Sequence, residues 1–163
     1  MRIFVGTDHA GLDFKDHLKK ALADAGYEPV DCGAFEFDAL DDYPPFCFEV
    51  GERTVAEPGS LGVVIGGSGN GEQMAANKVP GVRAALVWNT ATAQLAREHN
   101  NANVVSIGAR QHSPEEATEL VLHFLRTDFS HDERHVRRIG LISDYERDRH
   151  RPSGGLPTRT ETP

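Results

Sequence analysis

The sequence predicts an α/β protein: a largely parallel sheet of about five strands with helices packed on both faces, a doubly wound sandwich. Three observations predict it. Short apolar runs of strand length alternate with stretches of helical spacing from Arg2 to Ile107. Two capping boxes near the end, Ser113-x-x-Glu116 and Ser130-x-x-Glu133, each set a hydroxyl three residues before a carboxylate and predict two closing helices. The residues with chemical potential cluster just past the strands, where such sheets bind ligands.

Arg2–Thr7 (RIFVGT) reads as a short buried strand, followed by Asp8-His9-Ala10-Gly11 and a helix carried by Phe14, Leu18, Ala21, Leu22 and Ala25, with Gly26 as its stop. A second strand is expected at residues 28–31. The acidic, aromatic residues 33–43 form a loop, and Pro44-Pro45 opens a helix toward Ala56. Residues 61–65 (LGVVI) are the clearest core strand and run into Gly66-Gly67-Ser68-Gly69-Asn70-Gly71, after which residues 72–77 have helical composition. Residues 83–87 and 103–107 are two further strands separated by a helical segment at 90–98. Of the closing helices, one presents Leu120, Val121, Phe124 and Leu125, the other Val136, Ile139, Ile142 and Tyr145. One domain is expected over 1–149, and the Pro/Gly/Thr-rich residues 150–163 are expected to be a disordered tail.

The chain has 163 residues, enough to bury a core without disulfides or a metal. Its formal charge of −8 argues against general nucleic-acid binding. Residues 126–163 nevertheless hold 8 of the 17 basic side chains, all arginine, either as a solvated, ion-paired helix or as a phosphate-recognising cluster. No apolar run approaches the length of a membrane span, Met1 leads straight into a strand, and the only cysteines, Cys32 and Cys47, form no C-x-x-C pair. A cytoplasmic protein with two packing thiols is the expectation.

Asp8 and His9 follow the first strand, Gly66 to Glu72 the third, Asn89 the fourth and Arg110 the fifth. Singly, Asp8 reads equally well as a helix cap and His9 as a turn residue. Four glycines within six residues between a strand and a helix let backbone amides converge on an oxyanion. Glu72-Gln73 stand where a P-loop needs Lys and Ser/Thr, and the glycine spacing departs from the dinucleotide fingerprint. A carboxylate there would repel phosphate, but it could take a proton from carbon while Ser68 and the loop amides hold the developing negative oxygen. The bland alternative for Glu72 is a favourable contact with the helix dipole. His99-Asn100-Asn101 ends a helix, where a lone histidine often only caps. Arg134 and Arg138 share a helix face and, with Arg110, could clamp a phosphate. His131 and His135 are four apart but lack the zincin glutamate and a third ligand, so no metal is expected.

These residues resemble the type B ribose-5-phosphate isomerases, which share a superfamily with galactose-6-phosphate isomerase subunits. The resemblance spans about residues 1–149 and rests on Gly6-Thr7-Asp8-His9-Ala10-Gly11, on residues 66–73 and 75–78, on Arg97-Glu98-His99-Asn100-Asn101-Ala102-Asn103, and on Gly108-Ala109-Arg110. It implies a three-layer Rossmann-like sandwich, homodimers or dimers of such dimers with active sites shared between subunits, and a last helix reaching the partner. It implies an isomerase of the pentose phosphate pathway that needs no cofactor. His99 would open the sugar ring with Asp8 assisting. His9, Arg110, Arg134 and Arg138 would hold the phosphate, and Asn100 the sugar hydroxyls. Ser68, with the backbone of Gly67, Gly69, Asn70 and Gly71, would surround a cis-enediolate. Many members carry a base cysteine at the start of the loop, where this chain has Gly66. The chain resembles the branch without that cysteine, in which a glutamate at the position of Glu72 is the base. Two other readings stand beside this one: an isomerase of a hexose 6-phosphate such as allose or galactose 6-phosphate, and a non-catalytic sugar-phosphate or flavin-binding module in which residues 35–43 stack a ring.

Overall fold

The computed structural model describes residues 1–149, and the expected tail at 150–163 lies outside the described residues. The chain divides into two units, Met1–Ser130 and a second beginning at His131. The first holds five strands: β1 (Arg2–Thr7), β2 (Glu28–Asp31), β3 (Leu61–Gly66), β4 (Ala84–Leu86) and β5 (Val104–Gly108). They lie in the order β2-β1-β3-β5-β4, and every pairing is parallel.

β3 and β5 are buried along their whole length and β1 from Ile3 onward, which is why they read as continuous apolar runs; edge strand β2 stays half-exposed. Alternation along the strands then assigns the two cores. Ile3, Val5, Val63, Ile65, Val105 and Ile107 point to one face and meet α1 (Leu12–Asp24), α4 (Thr90–Asn100) and α5 (Pro114–Arg126) through Phe14, Leu18, Ala93, Val121 and Phe124. Phe4, Val64 and Val104 point to the other and meet α2 (Pro44–Ala56) and α3 (Asn70–Ala76) through Cys47, Val50 and Ala76. Both thiols are buried. The resulting layers, helix–sheet–helix, are those the sequence predicts.

The Ser113 capping box forms: Glu116 N–H donates to Ser113 Oγ at 3.2 Å, and Ser113 N–H donates to Glu116 Oε2 at 3.0 Å. The Ser130 box does not. The helix of the second unit, α6 (Glu133–Asp148), begins with Asp132 at the N-cap position and no capping bond from its side chain. His131 adopts a left-handed φ of 57°, which puts a turn between Ser130 and the helix, and the Ser130 amide instead donates to Glu98 O at 3.0 Å. On α6, Val136, Ile142 and Tyr145 are exposed.

From β1 the chain moves outward to β2 and then returns to β3 on the opposite side of β1. The switch point therefore falls between β1 and β3. It places the ends of these two strands, Asp8 and the Gly66–Glu72 loop, on either side of one crevice.

Candidate active site

At this edge Thr7 ties the two strand ends together, its hydroxyl donating to Ile65 O at 2.9 Å. Asp8 follows, buried, and its Oδ1 accepts the Ala10 amide at 3.0 Å, so the helix-cap reading is correct as far as it goes. His9 is held by a residue the sequence reading did not single out. Its Nδ1 lies 2.6 Å from Asp41 Oδ1, and its backbone N–H donates to the same carboxylate at 3.1 and 3.2 Å. Phe37 meets the imidazole edge-on at 6.0 Å between ring centroids. Asp8, His9 and Asp41 together bring three potential ligand atoms within 4.8 Å of one another, a set that could take a cation. The direct imidazole–carboxylate hydrogen bond already engages one of the three.

The Gly-rich loop is shaped by what each glycine touches. Gly69, at φ +80°, turns the chain into α3, and its carbonyl accepts the fully buried Ser106 hydroxyl at 2.7 Å. A β-carbon on Gly67 would lie 3.4 Å from Arg110 Nη1, so that guanidinium sits over the loop backbone. Ser68 is exposed; its Oγ accepts from Asn70 N at 3.3 Å and Asn70 Nδ2 at 3.2 Å, which leaves its O–H to donate. Gly71 faces the ring and hydroxyl of Tyr43, 2.7 Å from where its β-carbon would be.

Gly66 is the most informative position. A β-carbon there would overlap the Glu72 carboxylate, so this carboxylate occupies the volume that any side chain at 66 would need. Glu72 is only 5% exposed. Burial pushes its pKa above the usual carboxylate range and the nearby Asp8 charge adds to this, while backbone amides of Glu72 and Gly69 act the other way. Burial therefore wins over the helix N-terminus, a balance the sequence leaves open. Behind the carboxylates lies Cys47, whose thiol is pushed far up by burial and by the charges of Glu72 and Asp8. Burial raises Cys32 to about 11. Neither behaves as an activated thiolate.

Asp8, His9, Ser68, Glu72 and Arg110 thus share one edge with the glycine loop. His99 and Asn100 do not. The turn after α4 lies at the opposite, amino edge: Gly62 N–H donates to Asn103 O at 2.9 Å, and Arg83 Nε donates to Asn100 O at 3.1 Å. The length of β3, roughly 15 Å, separates that turn from the loop. Arg134 and Arg138 are exposed one turn apart on α6, in the second unit. A cavity of about 280 Å³ opens beside Ser68, Asn70, Trp88 and His112.

A buried carboxylate of raised pKa beside loop amides, with an exposed serine hydroxyl on the same loop at the carboxyl edge of a parallel sheet, is the arrangement an α/β enzyme of the acid–base class uses. The family model described as Ribose/Galactose Isomerase matches residues 3–142. Ribose-5-phosphate isomerase B of Mycolicibacterium paratuberculosis is 54% identical over 152 residues, 93% of this chain and 96% of that protein. Among solved structures, ribose-5-phosphate isomerase B of Clostridium thermocellum superposes with a TM-score of 0.87 at 37% identity, covering 92% of this chain and 100% of that one. The enzyme from Mycoplasma genitalium, with bound ribulose 5-phosphate, gives 0.86 at 42% identity, covering 90% and 97%. The chain belongs to the ribose/galactose isomerase family. It is not free of cysteine, holding Cys32 and Cys47, but neither lies in the glycine loop. No helix among the described residues is long and apolar enough to cross a membrane.

Proposed function

We propose that this protein interconverts ribose 5-phosphate and ribulose 5-phosphate with Glu72 as the base, in the branch of the family that lacks a cysteine at the start of the loop. The observation that carries this reading is the Glu72 carboxylate, buried against Gly66 in the space a loop-start side chain would fill. Its raised pKa suits a group that must both take and return a proton near neutrality.

His99 opens the ring, with Asp8 assisting. Glu72 removes the C2 proton, the electrons of that bond form C1=C2, and O1 becomes the oxyanion held by the Ser68 hydroxyl and the amides around Gly67, Gly69, Asn70 and Gly71. The proton returns from Glu72 to C1 while the O2 proton passes to O1, giving the ketose through a cis-enediolate. His9, kept in orientation by Asp41, binds the phosphate with Arg110, Arg134 and Arg138, and Asn100 binds hydroxyls. One chain cannot assemble this set, because His99 and Asn100 lie at the far edge of its own sheet. A second copy completes each site, and the exposed apolar and arginine side chains of α6 suit the same contact. Residues 1–149 act as one isomerase domain in this reading, in the cytoplasm.

Incubation of metal-stripped protein with ribose 5-phosphate in D2O, followed by NMR, tests it, with allose 6-phosphate in parallel. Ribulose 5-phosphate carrying deuterium at C1 supports the proton-transfer route. Turnover of the hexose alone replaces the substrate, and silence with both overturns the function.

A further inference from the structure

We propose that Lys15 is a positioning residue: from inside the core it clamps the base of the 33–43 loop to α1, so that Phe37 and Asp41 of that loop hold His9 in place. The inference rests on the reading above only in giving His9 a phosphate to bind. Lys15 is 1% exposed and is the bulkiest fully buried side chain among the described residues. Lysine is rarely buried so completely unless it is paired. Its ammonium donates to Asp31 Oδ1 at 2.7 Å and to Ala34 O at 2.5 Å, and lies 5.5 Å from the centre of the Phe35 ring. Asp31 also accepts the Gly33 amide on Oδ1 at 2.9 Å and the Lys19 ammonium on Oδ2 at 2.6 Å. Burial alone would raise the Asp31 carboxyl, but the hydrogen bonds from Lys15, Lys19 and the Gly33 amide hold it below its ordinary range. Two backbone bonds complete the base of the loop: Thr7 N–H donates to Gly33 O at 2.8 Å, and Ala34 N–H donates to Thr7 O at 2.6 Å.

This clamp joins the two segments that meet at His9. On one side, the short turn of helix His9–Gly11 runs directly into α1, which carries Lys15. On the other, the loop leaves Ala34, passes Phe37 against the imidazole edge, and reaches Asp41, whose carboxylate takes both the His9 amide and Nδ1. Phe35, Phe37 and Leu40 are exposed, so burial does not fix the stretch between Ala34 and Asp41. Its course depends on its two ends, the base held by Lys15 and the start of α2. An apolar side chain of similar length would fill the core without the cost of burying a charge. What the ammonium adds is the tie between α1 and the loop.

The test is heteronuclear NMR of the His9 ring in the full chain, beside steady-state kinetics with ribose 5-phosphate. Lys15→Met keeps the length of the side chain and leaves Asp31 two donors, Lys19 and the Gly33 amide. It should move the His9 ring resonances to where Asp41→Asn puts them and raise KM about tenfold, with kcat within about twofold. Added to Asp41→Asn, it should have no further effect. Lys19→Ala removes a partner of Asp31 without touching the loop, and should leave both readings at wild type. If Lys15→Met fails to fold, Asp31→Asn, which keeps the volume and withdraws the charge, should give the same shifts. Unchanged His9 resonances, additive effects in the double variant, an equal shift from Lys19→Ala, or unfolding of both clamp variants would overturn the proposal. The ring resonances are read without substrate, so failure of the clamp and failure of the proposed reaction are told apart.

Discussion

At Glu72 two demands conflict if it is the base proposed above, since that role wants a charged carboxylate and burial disfavours one. Its folded-state pKa is raised, so whatever stability the protonated form lends is complete below the unfolded value and is lost as pH rises through the folded one. Glu72→Gln should therefore raise the melting temperature at pH 8 while cutting kcat by about a thousandfold. Calorimetry across pH checks the sign, because the gain must vanish below the ordinary carboxylate range. The neighbouring glycine makes a linked prediction. Gly66→Ala should displace the carboxylate and cost about a hundredfold in kcat, yet add little on top of Glu72→Gln, since both changes remove the same group. That Glu72, Ser68 and Arg110 gather at the carboxyl edge was legible because they lie in the segments that leave β3 and β5. Asp41 and Tyr43 were not. The contact between Asp41 and His9 spans 32 residues across a loop with no periodicity, and the acidic composition of residues 33–43 gave no sign of which carboxylate turns inward.

Among the elements, legibility followed burial. β1, β3 and β5 announce themselves because parallel strands covered on both faces need apolar side chains at nearly every position. The two capping boxes show the limit of local signals. Both have the same spacing, yet only Ser113 caps, because a cap also requires extended backbone at the cap residue and helical backbone immediately after it. Ser113 has that geometry at φ −65°, ψ 156°, whereas the left-handed His131 interrupts the Ser130 segment. Ser113→Ala should cost about 1 kcal/mol, a fall of about 2–4 °C in melting temperature, without changing KM. Thermal unfolding beside steady-state kinetics separates the two effects.

For the whole molecule, a doubly wound sheet sends the ends of its crossover helices to the edge opposite its ligand crevice. His99, at the end of α4, is therefore remote from Glu72 of its own chain, and the proposed reaction needs the two brought together by a second copy. Mixing Glu72→Gln with His99→Ala chains should restore about a quarter of wild-type activity, since half the dimers are mixed and each of these has one intact site. No recovery, with exchange of chains verified by mass spectrometry, contradicts the shared site. The carboxylate lodged against Gly66 also constrains how such a protein can change over generations. A thiol at 66 and a carboxylate at 72 in this pose exclude each other. For a side chain to enter at 66, the carboxylate at 72 must first be replaced or swing out of its niche, so the order of the two changes matters.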